Sequence, residues 1–390
     1  LAIFAFPSKT IKLNNTNNIK GVSGLLSGFL ESGRSFTVYR LPCDESVHIF
    51  QIGKVDLFEV NEFNPPDFDG AFIMSPFDFS RKAVALWPEN KEVIVPYIYN
   101  KTKVQESRHN PFQLPDEKRT VREAYSDSFA IIKDALDDGI ADKVVLARCL
   151  RVTDLPKNIL PEVFVQLCVA HPNAFVFFVD HPKTGRWMGA TPEAFLEKKG
   201  DQLRTVALAA TRNRIDHSED WNLKELEEQG LVSAFVDEIL QYYDITDYQK
   251  NGPEPVRAGA MVHLRTSYKF SAGNLKNSIG QFLKSLHPTP AVGGYPKENA
   301  FDVIQKAEHF NRGFYSGFLG PVRSGDFRFF VNIRSMELGE DSAVLFLGGG
   351  ITRHSQEENE WEETRLKART LLSVLHSVKQ KYSNEPIHLR

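Results

Sequence analysis

Cysteine is scarce: the chain holds only Cys43, Cys149 and Cys168. An odd number scattered in or near apolar runs excludes a disulfide framework and a zinc cluster, and the three read as reduced core residues. Neither sign of charge is in excess, since the formal net charge is −3. That balance argues against nucleic acid as the main partner, because a phosphate backbone demands clustered Lys and Arg. No run approaches the ~18 apolar residues that span a bilayer, so no membrane partner is expected. The apolar start, Leu1-Ala-Ile-Phe-Ala-Phe6, has no basic flank and is too short for a signal core, so it reads as a first strand. The missing initiator Met reads as trimming or truncation, and a cytoplasmic location is expected. Internal repeats and low-complexity tracts are absent as well.

What is present is apolar and aromatic. Hydrophobic residues make up 42% and charged residues 25%, ordinary values for a globular chain, but 29 phenylalanines imply a large aromatic core. Phe36–Tyr39, Ala71–Met74 and Val93–Ile98 read as strands, several at edges because Pro and Gly lie close by. Between Arg119 and Gly139 the pattern turns helical, with Val121, Tyr125, Phe129, Ile132 and Leu136 on one face. A strand from Lys143 to Val152, a helix from Leu160 to Ala170, and strands at Ala174–Val179, Trp187–Ala190 and Leu203–Ala209 follow. A long helix is expected over Asp220–Tyr243, with Leu223, Leu226, Val232, Val236 and Leu240 inward. Then come strands near Gly259–Phe270, helices near 275–286 and 297–310, and strands at Phe314–Val322, Phe327–Leu338 and Ala343–Leu347. Ser355 and Glu358 form a capping box for a last long helix, and Gly348-Gly-Gly350 before it reads either as bare N–H groups that contact a carboxylate or, equally well, as a tight turn. Strands in hairpin-like succession with inserted helices predict an α+β fold, not a doubly wound parallel sheet. One domain over 1–390 is expected, in which 1–110 completes the sheets and 119–383 carries the chemistry.

Two pairs of acids stand out on the long helices. Glu225 and Glu228 are three apart on one, and Glu360 and Glu363 three apart on the other. That spacing puts each pair on one helix face. Converging, they would hold a hard cation such as Mg²⁺; diverging, they would simply face solvent.

Four strings then appear in order: Lys143-Val-Val-Leu-Ala-Arg148, Gly189-Ala-Thr-Pro-Glu193, Leu286-His-Pro-Thr-Pro-Ala-Val-Gly-Gly294 and Glu360-Trp-Glu-Glu-Thr-Arg-Leu-Lys367. Together they resemble the chorismate-utilising enzymes, and the third is similar to the string of the isochorismate synthases among them. The resemblance implies a large fold of antiparallel sheets packed as a sandwich and flanked by helices. It implies Mg²⁺ ligands at Glu228 and Glu363, with Glu225 and Glu360 acting through water. It makes Lys143 the general base and Glu193 the general acid. Tyr315, Arg334 and Lys367 become anchors for substrate carboxylates, with Gly350, Thr211, His263 and Ala291 around the ring. Gln229 stands where the family often has His, and Ala210 where it has Gly.

The implied reaction adds water at C2 of chorismate while the C4 hydroxyl leaves. A base must take a proton from water and an acid must give one to the departing hydroxyl. Free Lys titrates at ~10.4 and free Glu at ~4.3, so Lys143 should be shifted down by burial or nearby cations and Glu193 up by burial or nearby acids. Ammonia-using relatives carry a hydroxyl-bearing string where this chain has Ala291-Val292, so no glutaminase partner is expected. The resemblance points to an isochorismate synthase, a monomer or weak homodimer; menaquinone, siderophore and salicylate synthesis all stay open as the pathway served, and menaquinone is preferred because no carrier or siderophore domain is fused to the chain. A salicylate synthase, which would go on to eliminate pyruvate, is the alternative. A non-catalytic binding protein on the same fold is a third reading, disfavoured because Lys143, Glu193, Glu228 and Glu363 are all present.

Overall fold

A computed structural model describes residues 18–96, 119–213, 221, 223–258, 261–275, 278–382 and 388–389, with backbone alone at 18–20, 120, 210–213, 223–224, 257–258 and 261. The strand expected at residues 1–6 lies outside the described residues. In chain order the first elements are α1 (Asn18–Glu31), β1 (Phe36–Arg40), β2 (Ser46–Phe58), β3 (Phe72–Ser75), β4 (Ala83–Pro88) and β5 (Val93–Pro96). Next are α2 (Arg119–Asp137), β6 (Lys143–Thr153), α3 (Leu160–Ala170), β7 (Phe175–His181), β8 (Gly185–Thr191), β9 (Ala194–Lys199) and β10 (Gln202–Asn213). Then follow α4 (Leu223–Tyr242), β11 (Tyr248–Ala258), β12 (Met261–Ser271), α5 (Ile279–Leu286), β13 (Gly294–Tyr295) and α6 (Lys297–Ala307). The chain closes with β14 (Phe318–Arg323), β15 (Asp326–Val331), β16 (Ser335–Leu338), β17 (Ser342–Thr352), α7 (Glu357–Tyr382) and β18 (His388–Leu389).

Pairing among the described strands is antiparallel and falls into two sheets. One runs β5-β2-β1-β7-β8-β16-β17-β6, with β13 and β18 on the outer edge of β6. The other runs β2-β4-β3-β14-β15-β9-β10-β12-β11. Strand β2 belongs to both: its first half pairs with β1 and β5, and its second half, past a register shift at Ile52, pairs with β4. The sheets are thus one curled surface folded over on itself. Its inner layer joins Tyr39, Phe175, Phe177 and Phe346 of one sheet to Phe72, Leu319 and Phe330 of the other. The Phe175 and Phe330 rings stack at 4.3 Å, which adds ~0.5–1.5 kcal/mol to their burial.

Helices cover the outer faces. α1, α3 and α7 pack on the first sheet, α4 and α5 on the second, and α2 with α6 on the β6–β17 end. Phe175 and Phe177 look inward while Val176 and Phe178 look at the helices. A strand buried on both faces reads as an unbroken apolar run, which is why Ala174–Val179 carries no alternation.

Several expectations needed correction. The strand expected at Phe327–Leu338 is two strands in two different sheets, β15 and β16, separated by Asn332–Arg334 with Arg334 at φ +51°. The glycines 348–350 are not a turn but strand, paired with Ala147, Leu146 and Val145. Phe314–Gly317 form a turn before β14. Leu226 is 44% exposed, so the inward face of α4 is set by Val232, Phe235, Val236 and Leu240. Cys43 is exposed at a positive-φ turn and is not a core residue. Ser355 and Glu358 do not make a capping box: Ser355 Oγ accepts from Thr352 N, and Glu358 pairs with Arg122.

Candidate active site

Lys143 opens β6 and is 1% exposed. Register places Lys143 opposite Thr352 and Val145 opposite Gly350 on β17, so the lysine stem runs along bare glycine backbone. A Cβ at Gly350 would stand 2.8 Å from Lys143 Cε and 2.8 Å from Glu228 Oε1. Only glycine leaves that space. Into it α4 sends Glu228, whose Oε1 lies 2.8 Å from Lys143 Nζ. Of the two expected influences on Lys143, burial and nearby cations, the structure places the first, while its near neighbour is a carboxylate.

A second ion pair lies alongside. α7 presents Glu363 and, one turn later, Lys367, with Nζ 2.6 Å from Glu363 Oε1 and donating to Gly348 O at 2.7 Å. Glu360, one turn before Glu363, is 2% exposed, and its Oε2 lies 3.6 Å from where a Cβ on Gly349 would stand, with Glu363 Oε1 at 4.0 Å from the same point. It does not line the cleft, and neither does Glu225.

Glu193 follows Pro192, which ends the β8 ladder and turns the chain toward β9. Its side chain is 5% exposed. Burial pushes its carboxyl up to about 7, against the opposing pull of Lys143 and Lys367. A carboxyl at that value is the expected shape of a general acid near neutral pH.

The cationic and phenolic groups come from connections between strands. Arg334 sits at the crossing from β15 to β16, and its Nη1 donates to Lys367 O at 3.1 Å and Thr370 Oγ1 at 2.9 Å. Burial lowers its guanidinium to about 10, still a cation at neutral pH. Tyr315 lies in the turn before β14 with its ring stacked on Phe346 at 5.1 Å. Burial raises its phenol to about 12, so it stays a neutral donor. His263 on β12 and Ala291 in the segment after α5 complete the surround.

One cleft is thus lined by Lys143, Glu193, Glu228, His263, Ala291, Tyr315, Arg334, Gly350, Glu363 and Lys367, ten residues brought together from distant stretches of chain. Ala210 and Thr211 lie on β10, Thr211 opposite His263, but their side chains are outside the described residues. Gln229, the departure from the family's His, is 2% exposed and ties α4 to the sheet by donating to Ala207 O at 3.2 Å and Thr266 Oγ1 at 3.0 Å. Sequence reasoning missed the apolar walls: Val145, Leu208, Val292, Ile333 and Phe346. The signal available was their nearness to motif residues. The open space is about 80 Å³, well under the ~300 Å³ of a usual small-molecule pocket, and the Lys143–Glu228 pair joins β6 to α4 within it.

Which cation the acids would suit follows from their chemistry. Among the described residues no three acidic, His or Cys side chains cluster tightly enough to form a metal site by themselves. Glu228 and Glu363 supply hard oxygens beside glycines that leave room. That is the one-or-two-carboxylate setting in which Mg²⁺ binds, completed by substrate and water.

Comparison with known proteins gives a consistent picture. The family model described as "Chorismate binding enzyme" matches residues 78–376. The vibriobactin-specific isochorismate synthase of Vibrio cholerae is 30% identical over 242 residues, covering 60% of this chain and 61% of that protein. The isochorismate synthase MenF of Bacillus subtilis is 33% identical over 248 residues, 60% of this chain and 51% of that protein. The matches thus span about half to three-fifths of the length of these relatives. Among solved structures, DhbC from Bacillus anthracis superposes with a TM-score of 0.75 at 25% identity, over 90% of this chain and 99% of that one.

Proposed function

The chain belongs to the chorismate-binding enzyme family, and from that premise we propose that it is an Mg²⁺-dependent isochorismate synthase. The observation that carries the reading is a buried carboxyl at about 7, Glu193, sharing one cleft with a buried lysine, Lys143. Hydroxyl exchange on a ring needs such a pair, an acid and a base held apart in a water-poor site.

Lys143 takes a proton from water as its oxygen bonds to C2 of chorismate. The ring double bonds shift, the C4–oxygen bond breaks, and Glu193 gives its proton to the leaving hydroxyl, which departs as water. One water enters and one leaves. The amine must be uncharged to accept that proton, so its contact with Glu228 has to open first. Glu228 and Glu363 would hold Mg²⁺, and the bound ion would supply positive charge for the ring carboxylate. Arg334 and Tyr315 grip the enolpyruvyl carboxylate by a charged and a neutral donor, and Lys367 adds positive charge beside it. Each close charge contact is worth up to ~4 kcal/mol at an effective dielectric near 20, before desolvation.

The test is a time course with chorismate, Mg²⁺ and enzyme in excess, separating isochorismate, salicylate and pyruvate. Isochorismate should appear first and persist beside chorismate. Ala291 offers no hydroxyl, so ammonium should yield little anthranilate. Unchanged chorismate would remove the enzymatic reading. Quantitative salicylate and pyruvate would replace it by salicylate synthase.

A further inference from the structure

Behind the cleft, one buried ion pair touches its wall through backbone alone. Glu308 follows the end of α6, and Arg312 stands four residues on, shortly before Tyr315. Both side chains are 3% exposed, with Nη2 2.5 Å from Glu308 Oε1. The guanidinium also donates through Nε to Glu308 Oε2 at 2.8 Å and lies over the Phe77 ring at 4.3 Å. Its remaining bonds reach main chain: Nη1 to Val292 O at 2.8 Å and Nη2 to Val145 O at 2.7 Å. Glu308 Oε1 accepts from Ala147 N at 2.7 Å.

Of those backbone groups, Val145 O and Ala147 N belong to the outer edge of β6. β13 pairs only with Lys143 and Val144, and Val145 N reaches Gly293 O at 2.7 Å. β18 meets β6 only at Val152 and Thr153. Between them the edge has no neighbouring strand among the described residues. A buried strand edge must still satisfy its N–H and C=O groups. Here two side chains, one donor and one acceptor, stand in for a strand. The same guanidinium fastens Val292, so the strand that begins with Lys143 and the segment that carries Ala291 are tied to one planar group. Val145 and Val292 both line the cleft.

We propose that Glu308 and Arg312 are positioning residues that fix the separation between Lys143 and the Ala291-Val292 wall, and thereby where the attacking water stands. The proposal rests on the isochorismate synthase reading. Neither residue touches the reacting atoms. Their leverage is geometric: a misplacement of about 1 Å is enough to cost on the order of 10²-fold in rate.

Two variants test it. Arg312→Lys keeps a positive charge beside Glu308 but replaces a planar fork by one nitrogen, which cannot serve Val145 O, Val292 O and the carboxylate together. Glu308→Gln keeps shape and an oxygen for Ala147 N while removing the charge opposite the guanidinium, and is read on the same footing. Per folded molecule, counted by circular dichroism, kcat should fall on the order of 10²-fold in Arg312→Lys and roughly 10-fold in Glu308→Gln, with KM for chorismate within about threefold. Amide exchange at residues 145–147 and 289–293 should quicken by roughly tenfold or more in Arg312→Lys. If kcat per folded molecule is retained, or falls while exchange is unchanged, the pair is only structural and the proposal is overturned. Should the parent protein leave chorismate untouched, the functional reading fails instead. Exchange then judges the tie separately: faster exchange supports it, and unchanged exchange ends it.

Discussion

At the scale of single residues the site is a problem of proton placement, and Glu193 shows it most directly. Its carboxyl is raised from 4.5 to about 7 by burial. The folded state therefore binds the proton more tightly than the unfolded state does. The contribution of that proton to stability is full below about 4.5 and is lost as pH rises through about 7. Above that, the buried charge costs at most about 3 kcal/mol, from 1.36 kcal/mol per unit of pKa. Glu193→Gln should therefore unfold at higher denaturant than the parent at pH 8, with the gap closing toward pH 5. The same substitution and Lys143→Ala should each lower kcat by roughly 10²–10⁴-fold. On the alkaline side the parent's kcat should decline as Glu193 loses its proton. A Glu193→Gln protein that is active, or no more stable at pH 8, would remove the acid assignment.

Between elements, the cleft depends on where strands come close, and two glycines separate stability from function. A Cβ at Gly350 would strike only the far ends of Lys143 and Glu228. Flexible tips can move aside, so Gly350→Ala should fold within about 1 kcal/mol of the parent, yet lose most of its turnover because those tips are the working atoms. Gly294 is different: its φ is +152°, and a Cβ would lie 2.2 Å from the backbone oxygen of Lys143. There the strand itself would have to move. Gly294→Ala should cost on the order of 3 kcal/mol or more and leave little folded protein. Thermal melts beside turnover numbers separate the two cases, and equal behaviour of the two alanines would contradict this account.

The same elements show what the sequence could and could not disclose. Helices α2 and α7 were legible because long amphipathic periods survive tertiary packing, and β7 because its apolar run is bounded. Helix α1 and strand β11 were missed. The first has glycines at 21, 24 and 28, and the second, Tyr248–Ala258, is broken by Gly252-Pro253 and Pro255. The division of 327–338 into β15 and β16 turns on one left-handed residue, Arg334, which no propensity marks. Charged members of the cleft came from motif resemblance. Its walls did not, because Val145 or Phe346 on a buried strand looks the same whether it faces core or cleft. Arg148 explains a motif position that has no place in the cleft: it is buried, donates to Thr364 Oγ1 at 2.7 Å, and lies over the Trp361 ring at 3.9 Å, fixing α7 against β6.

On the scale of the whole molecule, α4 is packed on one sheet and α7 on the other, and among the described residues the sheets are continuous through β2. Which strands would pair was not legible, since pairing joins residues as far apart as Phe72 and Pro321 or Phe36 and Asp180. Glu228 and Glu363 therefore reach the cleft from helices packed on different sheets, and in this structure each is paired with its own lysine. A cation held by both carboxylates would tie the two helices to each other and release the lysines for substrate. A ligand that binds only the folded state stabilises it by RT ln(1 + [L]/Kd), about 2.7 kcal/mol at one hundred times Kd. Mg²⁺ should thus raise Tm by a few degrees in a concentration-dependent way, and EDTA should reverse the shift together with turnover. Glu363→Gln, keeping shape but losing a ligand charge, should move the midpoint of that titration to higher Mg²⁺. A Tm indifferent to Mg²⁺ in the parent, or a titration unchanged in Glu363→Gln, would show that these two acids are partners of lysine and nothing more.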